Sequence, residues 1–390
     1  MSTAGSLDYN HRHNVDIINE CNKSSKYIHK YQERQQNVAF MDYKQVPNAP
    51  EHYIQETWLR PNSGSPVLPT NAGDKFTWTL PNIDILTGLV LVITLTTTAD
   101  NTAYTSRNTA ALFWNLINLT QYGKTLLNYH PSYVICRNNE APSIEEEEAF
   151  ETIIWGAPLN NDTQTYFLPL FGPMFDKCNN YLFLEFFKNL QLEAYWSGLG
   201  LSSISAVSCY LACYSMHTNV EYKNSLLASL RRQNFTLPWY AVRSFNALIP
   251  EGATSFSIDL SNQFLTAKNI YLFMVDTQGN ETSFTKITVS AASQVIFVED
   301  FIQNMLKKYY SPDRKVYWGW NLNSVRIPFG LLQERLGWTG GACLIPGPYI
   351  INIECNSVST TSTYCFCHIE HYTELEVDAA NGLLNTTAVY

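Results

Sequence analysis

The sequence FTWTLPNIDILTGLVLVITLTTT occupies residues 76–98, and a similar sequence, FSIDLSNQFLTAKNIYLFMV, occupies residues 256–275. In both, a short run of alternating apolar and polar residues leads to Leu-Thr and then to a strongly apolar run. Alternation is typical of a half-buried strand, and a β-branched apolar run is typical of a strand buried on both faces. The two segments therefore predict one β-rich unit that occurs twice in the chain.

A second pair of similar segments closes each unit. SCYLACYSMHTNVE occupies residues 208–221, TYCFCHIEHYTELE occupies residues 363–376, and each ends in Thr-x-Val-Glu or Thr-x-Leu-Glu. Chance is the competing explanation, because alternation recurs in any β protein. We interpret the pairs as a duplication. An all-β unit of about eight short strands in two packed sheets is a jelly roll.

Helices are predicted at three places in this β-rich pattern. Residues 14–36 contain neither Pro nor Gly. Ser143 and Glu146 form a capping box, and the carboxylates of Glu145–Glu148 suit the first turn of a helix. The stretch from Val298 to Tyr310 is the helix-like part of the second half.

These patterns predict an all-β fold of two tandem eight-stranded jelly rolls, a double jelly roll with an N-terminal helical arm. The predicted arm covers residues 1–50 and the first jelly roll residues 51–232. The second jelly roll covers residues 233–378, and residues 379–390 form a C-terminal tail. Residues 61–73 hold three Pro and two Gly and predict a long turn.

Charged residues are scarce. The chain of 390 residues has 25 Lys and Arg against 34 Asp and Glu, a net charge of −9, and 15% charged residues, whereas a typical soluble domain has about 25%. Protein interfaces prefer uncharged polar and aromatic surface, so we expect much of the exterior to be buried against partners. A monomer with a neutral, loop-rich surface is the alternative. The acidic balance argues against specific nucleic-acid binding, which needs clustered Lys and Arg.

Four basic residues of the arm, Lys23, Lys26, Lys30 and Arg34, recur at spacings that place them on one helical face. We call these residues the basic stripe. One interpretation is an ordinary solvated helix face. The other is an arm that touches an anionic surface, such as lipid or nucleic acid, or a neighbouring subunit.

The sequence predicts a protein made in the cytosol. Residues 1–20 are polar and do not resemble a secretory signal. The longest apolar stretch, Ile85 to Leu95, is about half of the roughly 20 residues that a spanning helix needs. Nine cysteines are an odd number, which favours buried thiols over a disulfide framework.

Catalytic and metal-binding motifs are not evident, and we predict no enzyme activity, no cofactor and no metal. Cys365, Cys367 and His371 share one side of a predicted strand, with His368 opposite, which suggests zinc. Side chains two apart on a strand are nearly 7 Å apart, too far to surround an ion with contacts of about 2.0–2.3 Å. We therefore expect these cysteines to pack between sheets.

Tandem jelly rolls, a polar N-terminal arm and low charge together resemble the major capsid proteins of the double-jelly-roll viral lineage. That lineage includes adenovirus hexon and the tailless, membrane-containing icosahedral bacteriophages. Local segments are also similar to the family, and the likeness covers about residues 50–380. The segments are NLINLTQY at 115–122, YFLPLF at 166–171 and YTELEV at 372–377.

The resemblance implies a viral structural protein of the virion, synthesised in the host cytoplasm. It implies homotrimers with a pseudo-hexagonal outline, because two similar domains in three chains give six similar corners. These trimers would tile an icosahedral capsid and contact neighbouring capsomers and minor capsid or penton proteins. The basic stripe would face an internal lipid membrane.

Two alternatives from other classes remain open from the residues alone. A carbohydrate-binding, lectin-like β-sandwich could use Trp318 and Trp320, which share one side of a predicted strand, as sugar platforms. A β-sandwich glycosidase could use Glu185 and Glu193 as its pair of carboxylates.

Overall fold

The chain was analysed as a computed structural model. The structure describes residues 53–81, 85–97, 109–138, 163–170, 172, 182–183, 188–198, 204–217, 220–261, 265–276, 282–291, 293–300, 302, 320–321, 324–328, 342–344, 349–356, 358 and 363–388. The predicted arm, with its basic stripe, and the predicted helix that starts at Ser143 lie outside these residues.

The strands of the first half form two antiparallel sheets. The first sheet has the order β1-β9-β3-β6, with β7 also paired to β3, and the second has the order β2-β8-β4-β5. The strands are β1 Tyr53–Leu59, β2 Lys75–Thr79, β3 Ile85–Thr97, β4 Trp114–Gln121, β5 Lys124–Tyr129, β6 Thr163–Pro169, β7 Leu182–Phe183, β8 Leu190–Trp196 and β9 Ile204–His217.

The strands of the second half also form two antiparallel sheets. The larger has the order β10-β19-β12-β16-β15, with β17 paired to β12 and β20 to β19, and the smaller has the order β11-β18-β13-β14. The strands are β10 Phe235–Ile249, β11 Ser255–Asp259, β12 Leu265–Asp276, β13 Phe284–Ala291, β14 Gln294–Asp300, β15 Trp320–Asn321, β16 Ser324–Pro328, β17 Ala342–Leu344, β18 Tyr349–Cys355, β19 Thr363–Asp378 and β20 Leu383–Ala388.

The two halves share one topology. In each half, the first strand pairs with a long strand near the end of the half, that strand pairs with the third strand, and the third pairs with a strand from the middle of the half. The order β1-β9-β3-β6 therefore matches β10-β19-β12-β16. The second sheets match in the same way, β2-β8-β4-β5 against β11-β18-β13-β14. This is the two-sheet, Greek-key order of a jelly roll. The predicted double jelly roll is therefore confirmed.

The repeated segments fall on equivalent strands. Residues 76–98 cover β3 and most of β2, residues 256–275 cover most of β11 and β12, and the closing segments cover most of β9 and β19. The residue-by-residue alignment of the two closing segments is nevertheless wrong by an odd number of residues, so it pairs inward side chains of one strand with outward side chains of the other. It places Cys213, on the core side of β9, beside His368, whose side chain bonds outside the second core. An alignment shift of one residue moves every side chain to the opposite face of a strand.

The described part of the chain contains three helices: α1 Thr109–Leu112, α2 Ser132–Asn138 and α3 Val220–Leu230. None of these is long and apolar enough to cross a membrane. The sequence predicts a strand up to Tyr133, but β5 ends at Tyr129 and α2 follows. Pro131 explains the change, because proline cannot donate to a sheet ladder and suits the start of a helix.

Two other predictions about local structure are corrected. The helix predicted from Val298 to Tyr310 is wrong at its start, because Val298 to Asp300 belong to β14, which pairs along β13. Ile302 is helical, and residues 303–310 lie outside the described residues. The neighbours of Val298, which are Val295, Ile296 and Phe297, extend the β-branched and aromatic run that strands prefer. Within the predicted C-terminal tail, residues 383–388 form β20, which adds to the edge of β19.

The two jelly rolls have chemically different cores. The first is aromatic: Trp114 meets Trp196 edge-on at 5.7 Å, and Phe113 stacks on Trp196 at 5.4 Å between ring centroids. The second is built largely from aliphatic side chains, with Cys365 and Cys367 buried among them. The two sheets of each sandwich therefore pack on apolar side chains, which are aromatic in the first core and largely aliphatic in the second.

Candidate functional site

The first jelly roll meets the second through α2 and the end of β5. These elements lie against the outer face of the sheet β10-β19-β12-β16, the face that points away from the second core. Outward side chains there, such as Tyr271 and Phe273, are at most 1% exposed. The junction between the two sandwiches is therefore an interior, and we call it the jelly-roll interface.

A closed ring of hydrogen bonds lies in this interface. The Ser132 hydroxyl lies 2.8 Å from His130 Nδ1 and 2.8 Å from His368 Nε2. Ser244 Oγ lies 2.8 Å from His368 Nδ1 and accepts the His130 backbone N–H at 3.3 Å. The His130 ring stacks on Phe366 with centroids 4.2 Å apart. Residues from β10, β19 and the β5–α2 turn are thus joined in one network.

Burial keeps both histidines of this ring neutral. It lowers the pKa of His130 to about 4. It also lowers the pKa of His368 to well below its usual value, and the neighbouring His130 lowers it further. Their hydrogen-bond partners include the hydroxyls of Ser132 and Ser244, which carry no negative charge, so an added proton would not be compensated by these groups.

Glu370 is the buried carboxylate of the interface, with no exposed surface. Its Oε1 accepts the Tyr133 hydroxyl and lies 3.7 Å from Arg137 Nη1, and its Oε2 accepts Asn269 Nδ2 at 2.6 Å. A buried charge is tolerated only where it is paired and hydrogen-bonded. Since Tyr133 and Arg137 come from α2 and Asn269 from β12, this one carboxylate connects the two jelly rolls.

Further donors extend the cluster. Arg137 Nη1 donates to the Tyr271 hydroxyl at 3.1 Å, and Arg326 Nε donates to Asn269 Oδ1 at 3.0 Å. Burial and the nearby Glu370 raise the pKa of Tyr133 well above its usual value. Tyr133 is therefore a permanent donor, and each group in the cluster has a fixed role that holds α2 in one orientation.

A single amide ties the C-terminal strand to the first jelly roll. Gln121, at the end of β4, is 2% exposed. Its Nε2 donates to the Gly382 carbonyl at 2.7 Å and the Lys188 carbonyl at 3.0 Å, while its Oε1 accepts the Leu384 N–H at 2.7 Å. The amide thus satisfies backbone groups beside β20 that would otherwise be buried without partners.

The catalytic and metal candidates do not form a site in the described residues. No group of three or more His, Cys, Asp or Glu side chains there could hold a metal ion. Cys365 and Cys367 lie in the second core, while His368 belongs to the jelly-roll interface. The predicted packing of the two cysteines is therefore what the structure shows.

Glu193 forms a surface ion pair. It lies 3.0 Å from Lys75 Nζ and accepts the Tyr195 hydroxyl at 3.0 Å. Hydrogen bonds from Lys75 and Tyr195 hold the pKa of its carboxyl below the usual value against the opposing effect of burial. Its proposed partner Glu185 and the side chains of Trp318 and Trp320 lie outside the described residues.

Sequence reasoning missed the jelly-roll interface. The available signal was on β19, where Phe366, His368, Glu370 and Tyr372 alternate with buried core residues. A strand that carries a carboxylate and a histidine on its second face, among aromatics, is typical of burial against another polar surface and not of exposure to water. The partners Ser132 and Tyr133 are more than 230 positions away, so no local pattern connects them.

Comparison with known proteins defines the class of fold. No protein-family model and no curated protein matches the sequence, but solved structures do. VP54 of PBCV-1, fitted into a reconstruction of the virophage Sputnik, is 11% identical, with a TM-score of 0.65 over 87% of this chain and 97% of that one. The major capsid protein of Faustovirus is 8% identical, with a TM-score of 0.57 over 87% and 91%.

A third structure, the major capsid protein of STIV, is 10% identical, with a TM-score of 0.51 over 83% of this chain and 96% of that one. The fold of this chain is therefore a double jelly roll, as its topology already defines. More particularly, it is the fold of the major capsid proteins of double-jelly-roll viruses, and the predicted resemblance is confirmed at the level of the fold.

Proposed function

We propose that this chain is a viral major capsid protein that assembles as a pseudo-hexagonal homotrimer and tiles an icosahedral shell. The observation that carries the proposal is the shared strand order of the two jelly rolls. Two similar domains in each of three chains supply six similar corners, so a threefold ring can occupy a sixfold position. The similar solved structures include a PBCV-1 virus capsid and the Faustovirus major capsid protein.

The jelly-roll interface supports this role. A pseudo-hexagon requires the two sandwiches of a chain to keep one relative orientation. The observed arrangement forms the hydrogen bonds of Glu370 and of the ring around His368, and a sliding motion would leave these buried polar groups without partners. The interface therefore favours a single shape for the building block.

The same role accounts for the composition and needs no catalysis. Obligate interfaces of this kind typically bury more than about 2,000 Å² and exclude charge from their centres, consistent with 15% charged residues. The partners we propose are further copies of the chain, neighbouring capsomers and minor capsid or penton proteins. The proposed location is the virion, after synthesis in the host cytoplasm.

The purified chain is expected to run as a trimer. Multi-angle light scattering should give roughly three times the chain mass of 44.4 kDa, even in dilute solution, because burial between subunits adds directly to the stability of the folded state. The urea-unfolded chain, at the mass of a monomer, is the control. A folded, stable monomer would contradict the proposal, while shells seen by electron microscopy would extend it.

For the N-terminal arm we propose contact with anionic lipid through the basic stripe of Lys23, Lys26, Lys30 and Arg34. Each Lys or Arg near an anionic membrane surface contributes about 1 kcal/mol, and the spacing of the four would place them on one face of the predicted helix, where they act together.

Replacing all four basic residues by Gln is expected to weaken binding to vesicles that contain phosphatidylserine by tenfold or more, with the trimer mass unchanged. Co-sedimentation at low salt measures the binding, and vesicles of neutral phosphatidylcholine are the control. Equal binding by the parent and the Gln variant would assign the stripe to an ordinary solvated face.

A further inference from the structure

The strand β20 is an addition to the topology that the two halves share. Within the described residues, β9 of the first half pairs with β1 and β3, whereas its equivalent β19 pairs with β10, β12 and also β20. β20 begins to pair where β12 stops: Ala267 of β12 pairs with His371, and Ala388 of β20 pairs with Thr373. The shared order of strands is therefore complete in the second half without β20.

A tight turn at residues 379–382 directs β20 back along β19. Gly382 has a φ of 65°, a left-handed conformation that glycine adopts without strain, and its N–H donates to the Asp378 carbonyl at 2.8 Å. The Asp378 carboxylate accepts the side-chain amide of Asn381 at 2.8 Å. The turn and β20 thus form one locally defined hairpin arm, residues 379–388, which we call the latch.

The latch is attached to the first jelly roll through one side chain of β4. Gln121 bonds the Gly382 carbonyl and the Leu384 N–H, at 2.7 Å each, and β20 also contacts β5. Leu384 is 2% exposed and lies opposite Val377, whereas the neighbouring Leu383 is 41% exposed. Leu384 is therefore the inward anchor of β20, and Leu383 points outward from the same strand.

The latch and α2 contact the first jelly roll at opposite ends of β5. Gln121 precedes β5, whereas α2 follows it and bonds Glu370 and His368. A strand of six residues such as β5 spans about 20 Å, and Trp239 bonds the Leu126 carbonyl between the two ends. Attachments this far apart oppose rotation of one sandwich against the other. The latch is the attachment that can be released without removing a strand of the shared topology.

We propose that residues 379–388 act as a reversible latch. Closing it fixes the orientation of the two jelly rolls that a trimer requires, and opening it lets them rotate while both sandwiches stay folded. Segments with few buried contacts open locally at a lower free energy than the whole fold. Because an open latch lowers the fraction of chains that can assemble, it weakens assembly. This inference rests on the proposed trimer and adds a control over its formation.

The first test opens the latch in the full chain. Leu384→Asp places a carboxylate at a buried position, so residues 383–388 are expected to exchange their amide hydrogens at least tenfold faster, with β10 and β13 unchanged. Hydrogen exchange followed by mass spectrometry measures this. Leu383→Asp adds the same charge at the exposed neighbouring position and is the matched control, which should exchange like the parent. Faster exchange throughout the second sandwich would contradict the latch, because β20 would then belong to the core.

The second test links the latch to assembly. Leu384→Asp should raise the concentration at the trimer-to-monomer midpoint at least tenfold, and Leu383→Asp should keep the midpoint of the parent. Gln121→Ala approaches the latch from the first jelly roll and should also speed exchange in residues 383–388 at least tenfold.

The outcomes separate the latch from the proposed function. If the parent is a trimer and the two Asp variants share its midpoint, the inference is wrong and the proposed function stands. The same holds if Leu384→Asp or Gln121→Ala leaves β20 as protected as in the parent. If the parent is itself a monomer, both are wrong.

Discussion

Glu370→Ala is expected to lower the free energy of unfolding by about 3–5 kcal/mol, the usual cost of removing one partner from a buried ion pair. The substitution removes the acceptor for Tyr133 and Asn269 and the carboxylate beside Arg137. The Arg137 side chain, 9% exposed, would be left as a buried cation with little compensation. Because these donors come from both jelly rolls, the loss should loosen their fixed orientation as well as the fold.

Urea denaturation followed by tryptophan fluorescence measures this effect at one fixed protein concentration, since assembly adds to stability by mass action. Glu193→Ala is the matched control. Its ion pair with Lys75 lies at the surface, where such pairs contribute about 0–1 kcal/mol. Glu370→Gln keeps an acceptor oxygen, so its loss in the free energy of unfolding should lie between the losses of the two alanine variants. Equal losses for the alanine variants would show that the interface cluster contributes no more than a surface pair.

The fold was predictable because its signals are local. Alternation in residues 76–80 and 256–260 indicates strands with one buried side. The apolar runs of β3 and β12 indicate strands that are buried on both sides. The runs Leu190–Trp196 and Tyr349–Cys355 also have the pattern of strands, and they form β8 and β18. Repetition of these patterns in the same order is enough to predict two copies of one topology.

The jelly-roll interface was not predictable for the opposite reason. Its bonds join residues that no periodicity relates, such as Ser132 with His368 and Gln121 with Leu384. The elements that make them were also misassigned. Tyr133 lies on α2 and was predicted to lie on a strand. Pro131 is a local signal that ends the strand before Tyr133, so this misassignment came from a signal in the sequence and not from a long-range contact.

The edge strand β14 shows a competition between a helix-like sequence pattern and pairing in a sheet. The stretch from Val298 to Tyr310 has the length and spacing of a helix, yet Val298 pairs opposite Thr288 in a sheet. A missing strand at this place would leave β13 as the sheet edge and the second sandwich with one strand fewer. The strand also exposes apolar side chains, among them Val295 and Ile296, which the helix prediction did not place at the edge of a sheet.

Acidification is expected to destabilise the fold between about pH 6.5 and pH 4.5. Burial lowers the pKa of His130 and of His371 to about 4, and that of His368 well below its usual value. In the unfolded chain each titrates near 6.5. Below that pH the unfolded chain binds protons at these histidines and the folded chain does not. The free energy of unfolding is therefore highest above about pH 6.5 and falls as the pH decreases.

The expected loss of folding free energy is large because protonation of each of these buried histidines favours the unfolded chain. A single group displaced from 6.5 to about 4 is worth about 3 kcal/mol across the window. His130 and His368 face the neutral groups Ser132, Ser244 and Phe366, and within the described part of the chain no carboxylate bonds to either ring. Carboxyls with lowered pKa, such as Asp74 and Asp378, titrate below about pH 4 and do not contribute in this window.

Urea denaturation at pH 7.5, 6.0 and 4.5 measures this dependence. The parent should lose about 3 kcal/mol or more across the series, and His368→Gln should lose less because it removes one of the titrating groups. His217→Gln, at a histidine on β9 away from the interface, is the matched control and should keep the parent's slope. A stability that is flat from pH 7.5 to 4.5 would contradict the buried neutral histidines. A slope that His368→Gln and the control share would instead place the titrating groups outside the jelly-roll interface.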